Sequence, residues 1–512
     1  MNKYREILFQ HLDGIVLIPT LTGLYKSGIL DLMIEKQKFS IIELSKHKKL
    51  NPGYLNVSLR LLRSLGFLEF INQNNEMENI YITNNKFMQI AIEIDKLKDL
   101  DGIIKYHIDF NRLNKTQIPK YINLLNSLSL LIKNNTIKST NQFYINIEGL
   151  MIGPILANLS FYKHLEIESG NLKLVNLDSL IKQTFLNIFK TTKLISNEKR
   201  FITDKGNFFF KKSSSYGVTV SYLKTLSNIK TLLVNDQNYI WKRTKENHEI
   251  HVNRSMNVWG SGGAHKIYFK KIDNIIINIF NQKIEDQPLG VIDIGCGDGS
   301  FLKHIYLLII SKTNRKKYIE SHPLILIGTD INQKAQDSTK KTLKGIKNII
   351  INGDISNPDE INDYLNENHN LKLGDFLNCR TFLDHNRIYE KPLIKINHNI
   401  KSTGSFCHRG LLIPAKDLIT DFITHLSRWK PFIKKHGLII VELHTINPSD
   451  TLKNIGKSLA CAYDATHGYS DQYLIEYEVY KKCILEIGMN ITSENEYLFP
   501  KEIPTVSINY IK

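Results

Sequence analysis

At 512 residues the chain is too long for one hydrophobic core, and about two to four domains are expected. A composition of 42% hydrophobic and 23% charged residues excludes wholesale disorder. The formal net charge of +17 suits nucleic acid, a membrane surface or an acidic partner, yet the excess Lys is spread out, with only short basic clusters such as Lys46–Lys49 and Arg315–Lys317, so a solvated surface is expected rather than a charge-selected partner. No apolar run nears the roughly 18 residues of a membrane span, and the start, MNKYREILFQHLDG, lacks an apolar stretch before a small-residue cleavage site, so the expected location is cytoplasmic. Five scattered cysteines without a CxxC pair argue against a disulfide framework or a zinc knuckle.

Residues 1–95 read as small helices closing on a hairpin. Leu44, then Leu55, Leu59, Leu62 and Leu65, recur at helical spacing around a turn at Asn51-Pro52-Gly53. Gly66 stops the second helix, and "FLEFI" with "IYIT" forms two short strands. This outline resembles the winged-helix dimerisation domain of small-molecule O-methyltransferases, which implies packing against a partner rather than DNA. Residues 96–145 read as a helical connector. Then "EGLMIGPILANLSFYKHLEI" (148–167) echoes "DGIVLIPTLTGLYKSGIL" (13–30), and 187–212 echoes the first hairpin region, so 146–250 is expected to be a second, degenerate winged-helix-like unit. Two such copies in one chain can pack on each other in place of a homodimer contact; both monomer and homodimer stay open.

Within 251–512, apolar strands alternate with helices from about residue 287. "GVIDIGCGDGSFL" is a strand, a glycine loop and a helix start, where backbone N–H groups can approach a ligand closely. With Asp293 ahead of Gly295, Gly297 and Gly299, the stretch resembles motif I of class I S-adenosylmethionine-dependent methyltransferases. The second core strand, "LILIGTD", ends in Asp330, which can bind ribose hydroxyls. The third, "NIIINGD", ends near Asp354, where the resemblance implies an adenine contact. "GDFLNCRTFLDH" and "GLIIVELHT" follow as the fourth and fifth core strands, and 491–499 with 504–511 suit a closing antiparallel pair. The fold class expected is α/β, a doubly wound seven-stranded methyltransferase sheet at the C-terminus preceded by mainly helical winged-helix-like domains.

Ligands bind beyond the carboxyl ends of such strands, which singles out Asp384 and His385 after the fourth strand and His444 at the end of the fifth. Two further stretches are candidates. A loop over 257–271, "NVWGSGGAHKIYFKK", offers Gly262 to the cofactor and His265 to a pocket. A loop in "AYDATHGYSDQY" brings Asp464, His467, Asp471 and Gln472 together as a lid.

"NVWGSGGAHKIYFKK", "DIGCGDGSFL", "RTFLDHNR", "VELHT" and "YDATHGYSDQY" together resemble the carbon-methyltransferase domains of apratoxin-type polyketide synthases and their stand-alone relatives, over roughly residues 140–512. The resemblance implies S-adenosyl-L-methionine as methyl donor and an acyl or β-keto thioester on an acyl carrier protein as acceptor. In some members it also implies a mononuclear iron or manganese ion, for which Asp384 or His385, His444 and Gln472 are the counterparts here. Carbon methylation needs a base for the α-proton and a group to stabilise the enolate, so His385, His444 and Asp384 are the catalytic candidates. The rival readings are a small-molecule O-methyltransferase and, in another class, a winged-helix DNA-binding regulator that keeps the fold. "RTFLDHNR" lacks the Asn/Asp-Pro-Pro-aromatic motif of amino-group methylation, which argues against an RNA N-methyltransferase.

Overall fold

The computed structural model describes residues 2–512 apart from 48, 95, 96, 98–100, 136–141, 198–200, 246, 247 and 395, and leaves out the side chains of 2, 101, 135 and 263–266. The chain forms two compact units. The first is Met1–Gly263 with Ser405–Pro414 and Asn447–Asp471; the second is Ala264–Gly404, Ala415–Ile446 and Gln472–Lys512.

The first unit is built on two long apolar helices, Asn2–Lys26 and Gln142–Phe161, that pack against each other. Contrary to the expectation that no segment matches a membrane span, Lys3–Lys26 is long and apolar enough by length and composition, with mean hydropathy 1.4. Its window is 89% buried inside the protein, as befits a core helix. The two helices are the echoed segments: His11, Gly14 and Pro19 correspond, 135 positions on, to Asn146, Gly149 and Pro154. They meet reciprocally. A Cβ added at Gly14 would lie 2.0 Å from the Asn146 carbonyl oxygen, and one at Gly149 would lie 2.3 Å from the His11 Cα. Only glycine permits that approach of two backbones.

The winged-helix outline is present. Strands Lys38–Ser40, Ile80–Thr83 and Leu68–Ile71 lie side by side in that order, flanked by helices Ile41–His47 and Pro52–Ser64. The Asn51-Pro52-Gly53 turn is the start of the second helix, with Pro52 in the first turn, where its missing N–H costs nothing. Gly53 through Leu62 and Ser64 are all buried, and Arg60 pairs with Asp464 at 3.1 Å. A hairpin of Phe406–His408 and Leu411–Ile413 covers the same helix, with the Gly53 N–H donating to the Gly410 carbonyl at 2.9 Å. The helix that would read DNA is therefore enclosed in its own unit, which removes the surface the regulator reading requires.

The second unit holds seven core strands: Gly290–Ile294, Ile325–Thr329, Asn348–Ile351, Leu377–Thr381, Leu438–Leu443, Tyr497–Phe499 and Val506–Ile511. Numbered in chain order, they lie 6-7-5-4-1-2-3 across one sheet. The first five are parallel, and the seventh pairs antiparallel with the fifth and sixth. The five-residue first strand is buried throughout, as expected for a central parallel strand. The order reverses beside this strand, which places the switch point between strands one and four.

Candidate active site

The apolar first strand carries one buried acid. Asp293 is 2% exposed, and its Oδ1 has no hydrogen-bond partner among the described residues. Burial, reinforced by Asp330 and Asp298, pushes its pKa well above the usual carboxylate range. The chain then turns through Gly295, Gly297 and Gly299, with φ of 75°, 57° and 76°, a left-handed path that favours glycine at all three. Helix Ser300–Lys312 starts at once, so its free N–H groups line the same end of the sheet.

Asp330 follows the second strand and reaches back to this loop. Its Oδ2 accepts the Gly297 N–H at 3.1 Å and its Oδ1 accepts the Asn332 N–H at 2.8 Å. Asp354, after the third strand, accepts the Ser356 N–H at 2.8 Å in a local turn. The structure therefore brings Asp293, the three glycines and Asp330 to adjoining strand ends. Gly262 is not in a loop: helix Arg254–Phe280 runs through the whole glycine cluster, and Gly262 belongs to the first unit. The buried Ile272, Ile275, Ile276 and Ile279 recur at helical spacing and outweigh the low helix propensity of the glycines. The side chain of His265 lies outside the described residues.

Beyond the fourth strand, Phe382 adopts φ 55°, unusual for a bulky side chain, and turns the chain into a short 3-10 helix over Asp384–Asn386. Each residue of this turn is held by a different group. His385 Nδ1 lies 2.5 Å from Glu442 Oε1, and its backbone N–H donates to Glu442 Oε2 at 3.3 Å. Glu442 sits in the fifth strand, 3% exposed. A carboxylate only accepts, so opposite it Nδ1 is the donating nitrogen of this bond. Asn386 Oδ1 accepts from Gln472 Nε2 at 2.5 Å. Arg387 donates to Asp421 Oδ2 at 2.7 and 3.1 Å.

Asp384 and His444 have different surroundings from those expected. The Asp384 carboxylate lies 3.0 Å from both Arg380 Nε and His425 Nε2. Against the cost of burial, Arg380 and His425 hold its pKa down at about 2. His444 Nε2 bonds to Ser507 Oγ at 2.7 Å and its Nδ1 to the Ile475 carbonyl at 3.2 Å, while burial pulls its pKa down to about 4. With both ring nitrogens engaged it is a poor base. The expected metal set is not assembled: Asp384 faces Arg380 and His425, the alternative His385 has Nδ1 on Glu442, His444 bonds to Ser507 and Ile475, and the Gln472 amide nitrogen donates to Asn386. Among the described residues no group of three or more His, Cys, Asp or Glu side chains is placed to hold a metal ion. As placed, these described residues do not fit an iron or manganese centre.

The lid segment is also more regular than expected. Asp464 and His467 lie on helix Ala460–Gly468 of the first unit, His467 bonded to the Tyr463 carbonyl at 2.7 Å. In that unit Asp471 accepts from Trp241 Nε1 at 2.7 Å, Tyr54 Oη at 3.1 Å and the Arg409 N–H at 2.7 Å.

Sequence reading missed Glu442 and His425. Both carried a signal: Glu442 is the one charged residue in the apolar run "GLIIVEL", and His425 shares the buried helical stripe of Leu418, Phe422 and Trp429. A polar group on a buried face requires a partner.

The model of the AprA MT2-like domain family matches residues 249–510, just over half of the chain. The chain belongs to the AprA MT2-like methyltransferase family. It is an S-adenosylmethionine-dependent methyltransferase related to the apratoxin-type enzymes. Models of the AprA N-terminal domain and the AprA winged-helix domain match residues 4–70 and 148–236. The second of these falls on the unit expected at 146–250. A search of curated proteins found no match. Among solved structures, the chain is similar to an O-methyltransferase family 2 protein from Planctomyces limnophilus in complex with apigenin, at 10% identity over 99% of this chain and 95% of that one, TM-score 0.38. It is also similar to the magnesium protoporphyrin IX methyltransferase of Synechocystis with bound SAH, at 11% identity over 53% and 90%, TM-score 0.28. The AprA MT2-like chain offers the donor a close-approach glycine loop, a helix N-terminus, the orphaned Oδ1 of Asp293 and the Asp330 carboxylate. These groups fit S-adenosylmethionine.

Proposed function

We propose that the protein methylates the acidic carbon of an acyl or β-keto thioester presented on an acyl carrier protein. The observation that supports this reading most is the His385–Glu442 pair, 2.5 Å apart in the buried turn after the fourth strand. Bound S-adenosylmethionine supplies an electrophilic methyl group on a sulfonium. The chain's task is then to unmask a carbon nucleophile. His385 Nε2 takes the α-proton, and the electron pair of the broken C–H bond passes to carbon as an enolate, which forms the new C–C bond as the C–S bond breaks. Glu442 stabilises the imidazolium and fixes its tautomer, as the carboxylate of a catalytic triad does.

The fit of the residues argues for a reaction without a metal, so the enolate oxygen is left to hydrogen-bond donors of the protein. A small-molecule hydroxyl acceptor is the second reading, favoured by the winged-helix front; its proton needs the same base. Labelled methyl transfer separates the two. Transfer to an acyl carrier thioester but not to free phenols supports the first reading, and the reverse result overturns it.

A further inference from the structure

The turn that carries His385 is surrounded by more buried charge than its backbone needs. Arg380, in the fourth strand, is 1% exposed, and its three guanidinium nitrogens have no hydrogen-bond partner among the described residues. Its charge is met by Asp384 Oδ2 at 3.0 Å and by the Trp429 ring at 5.0 Å. The second Asp384 oxygen faces His425 Nε2 at 3.0 Å. The Asp384 carbonyl accepts from Arg387, which is itself clamped to Asp421. Asp421 and His425 are four residues apart on helix Ala415–Ile433, so one face of that helix grips the turn at two points. Well-packed apolar residues would stabilise a core as well as a buried ion pair does. What charge and imidazole add is direction: they fix where the Asp384 backbone sits, and His385 is the next residue.

We propose that Arg380, Asp384 and His425 are positioning residues for methyl transfer, holding the 384–387 turn so that His385 keeps its bond to Glu442. The proposal rests on His385 being the base. Neither Asp384 nor His425 is assigned contact with substrate. A displacement of about 1 Å at a reacting group can cost about a hundredfold in rate.

The test compares His425→Gln, whose side-chain amide can still donate to Asp384, with His425→Leu, which cannot. In the full-length protein, His425→Gln should retain kcat within about threefold. His425→Leu should lower the melting temperature, lose about a hundredfold in kcat per folded molecule with unchanged KM for S-adenosylmethionine, and lose the downfield His385 Nδ1 proton resonance. If His425→Leu keeps its kcat, or loses activity only in proportion to unfolded protein, the proposal is wrong. His385→Ala is measured alongside. If that variant turns over normally, the base assignment fails first; if it is inactive while His425→Leu is not, the positioning role alone fails.

Discussion

His385 differs from the other histidines at this end of the sheet in what holds it. His444 spends both ring nitrogens on structure, whereas His385 has Nδ1 on a buried carboxylate, the arrangement on which its proposed role as base rests. His385→Ala should lower kcat by about 10²- to 10⁴-fold while calorimetric binding of S-adenosylhomocysteine stays intact. Asp330→Ala should do the opposite, weakening nucleoside binding about ten- to a hundredfold. Asp13, in the core helix Asn2–Lys26, is an acid without such a purpose: burial raises its pKa to about 8 from 3.8, and its Oδ1 has no hydrogen bond among the described residues. The unfolded chain releases this proton near pH 4 and the folded chain only near 8, so stability falls as pH rises through that window. Asp13→Asn should flatten that slope and raise stability at pH 8 by a few kcal/mol, as read by urea unfolding. Asp293, Asp330 and His385 stood out in sequence because they lie at or just beyond the ends of strongly apolar strands. Glu442 did not, because its partner is 57 residues away and only the folded sheet brings them together.

The sheet was the most legible element, since seven apolar runs separated by helical spacing leave few topologies for a parallel core. The helix Arg254–Phe280 was not: its Gly-Ser-Gly-Gly stretch reads locally as a loop, and burial of the isoleucines after it decides otherwise. The echo between residues 13–30 and 148–167 was visible, but its meaning lies in the reciprocal glycine contacts of the two helices. Gly149→Leu would drive a side chain into the His11 backbone. It should destabilise the protein by about 1–3 kcal/mol or more in urea unfolding, while an exposed substitution such as Lys163→Ala changes little.

At the scale of the whole molecule, the duplicated helices already satisfy each other within one chain. The protein should therefore sediment as a monomer of 59.2 kDa; a stable dimer in analytical ultracentrifugation contradicts this. The net charge of +17 had several readings in sequence, and the burial of helix Pro52–Ser64 removes the DNA-reading face from them. Exhaustive chelation should leave turnover unchanged, because the Asp384 carboxylate is met by Arg380 and His425 and both ring nitrogens of His444 are engaged. Base-driven carbon methylation by His385 is read out by methyl transfer from labelled S-adenosylmethionine to an acyl carrier thioester. Wild-type protein should place the label on the α-carbon and His385→Ala should not. Label on oxygen, or undiminished carbon labelling by His385→Ala, would contradict it.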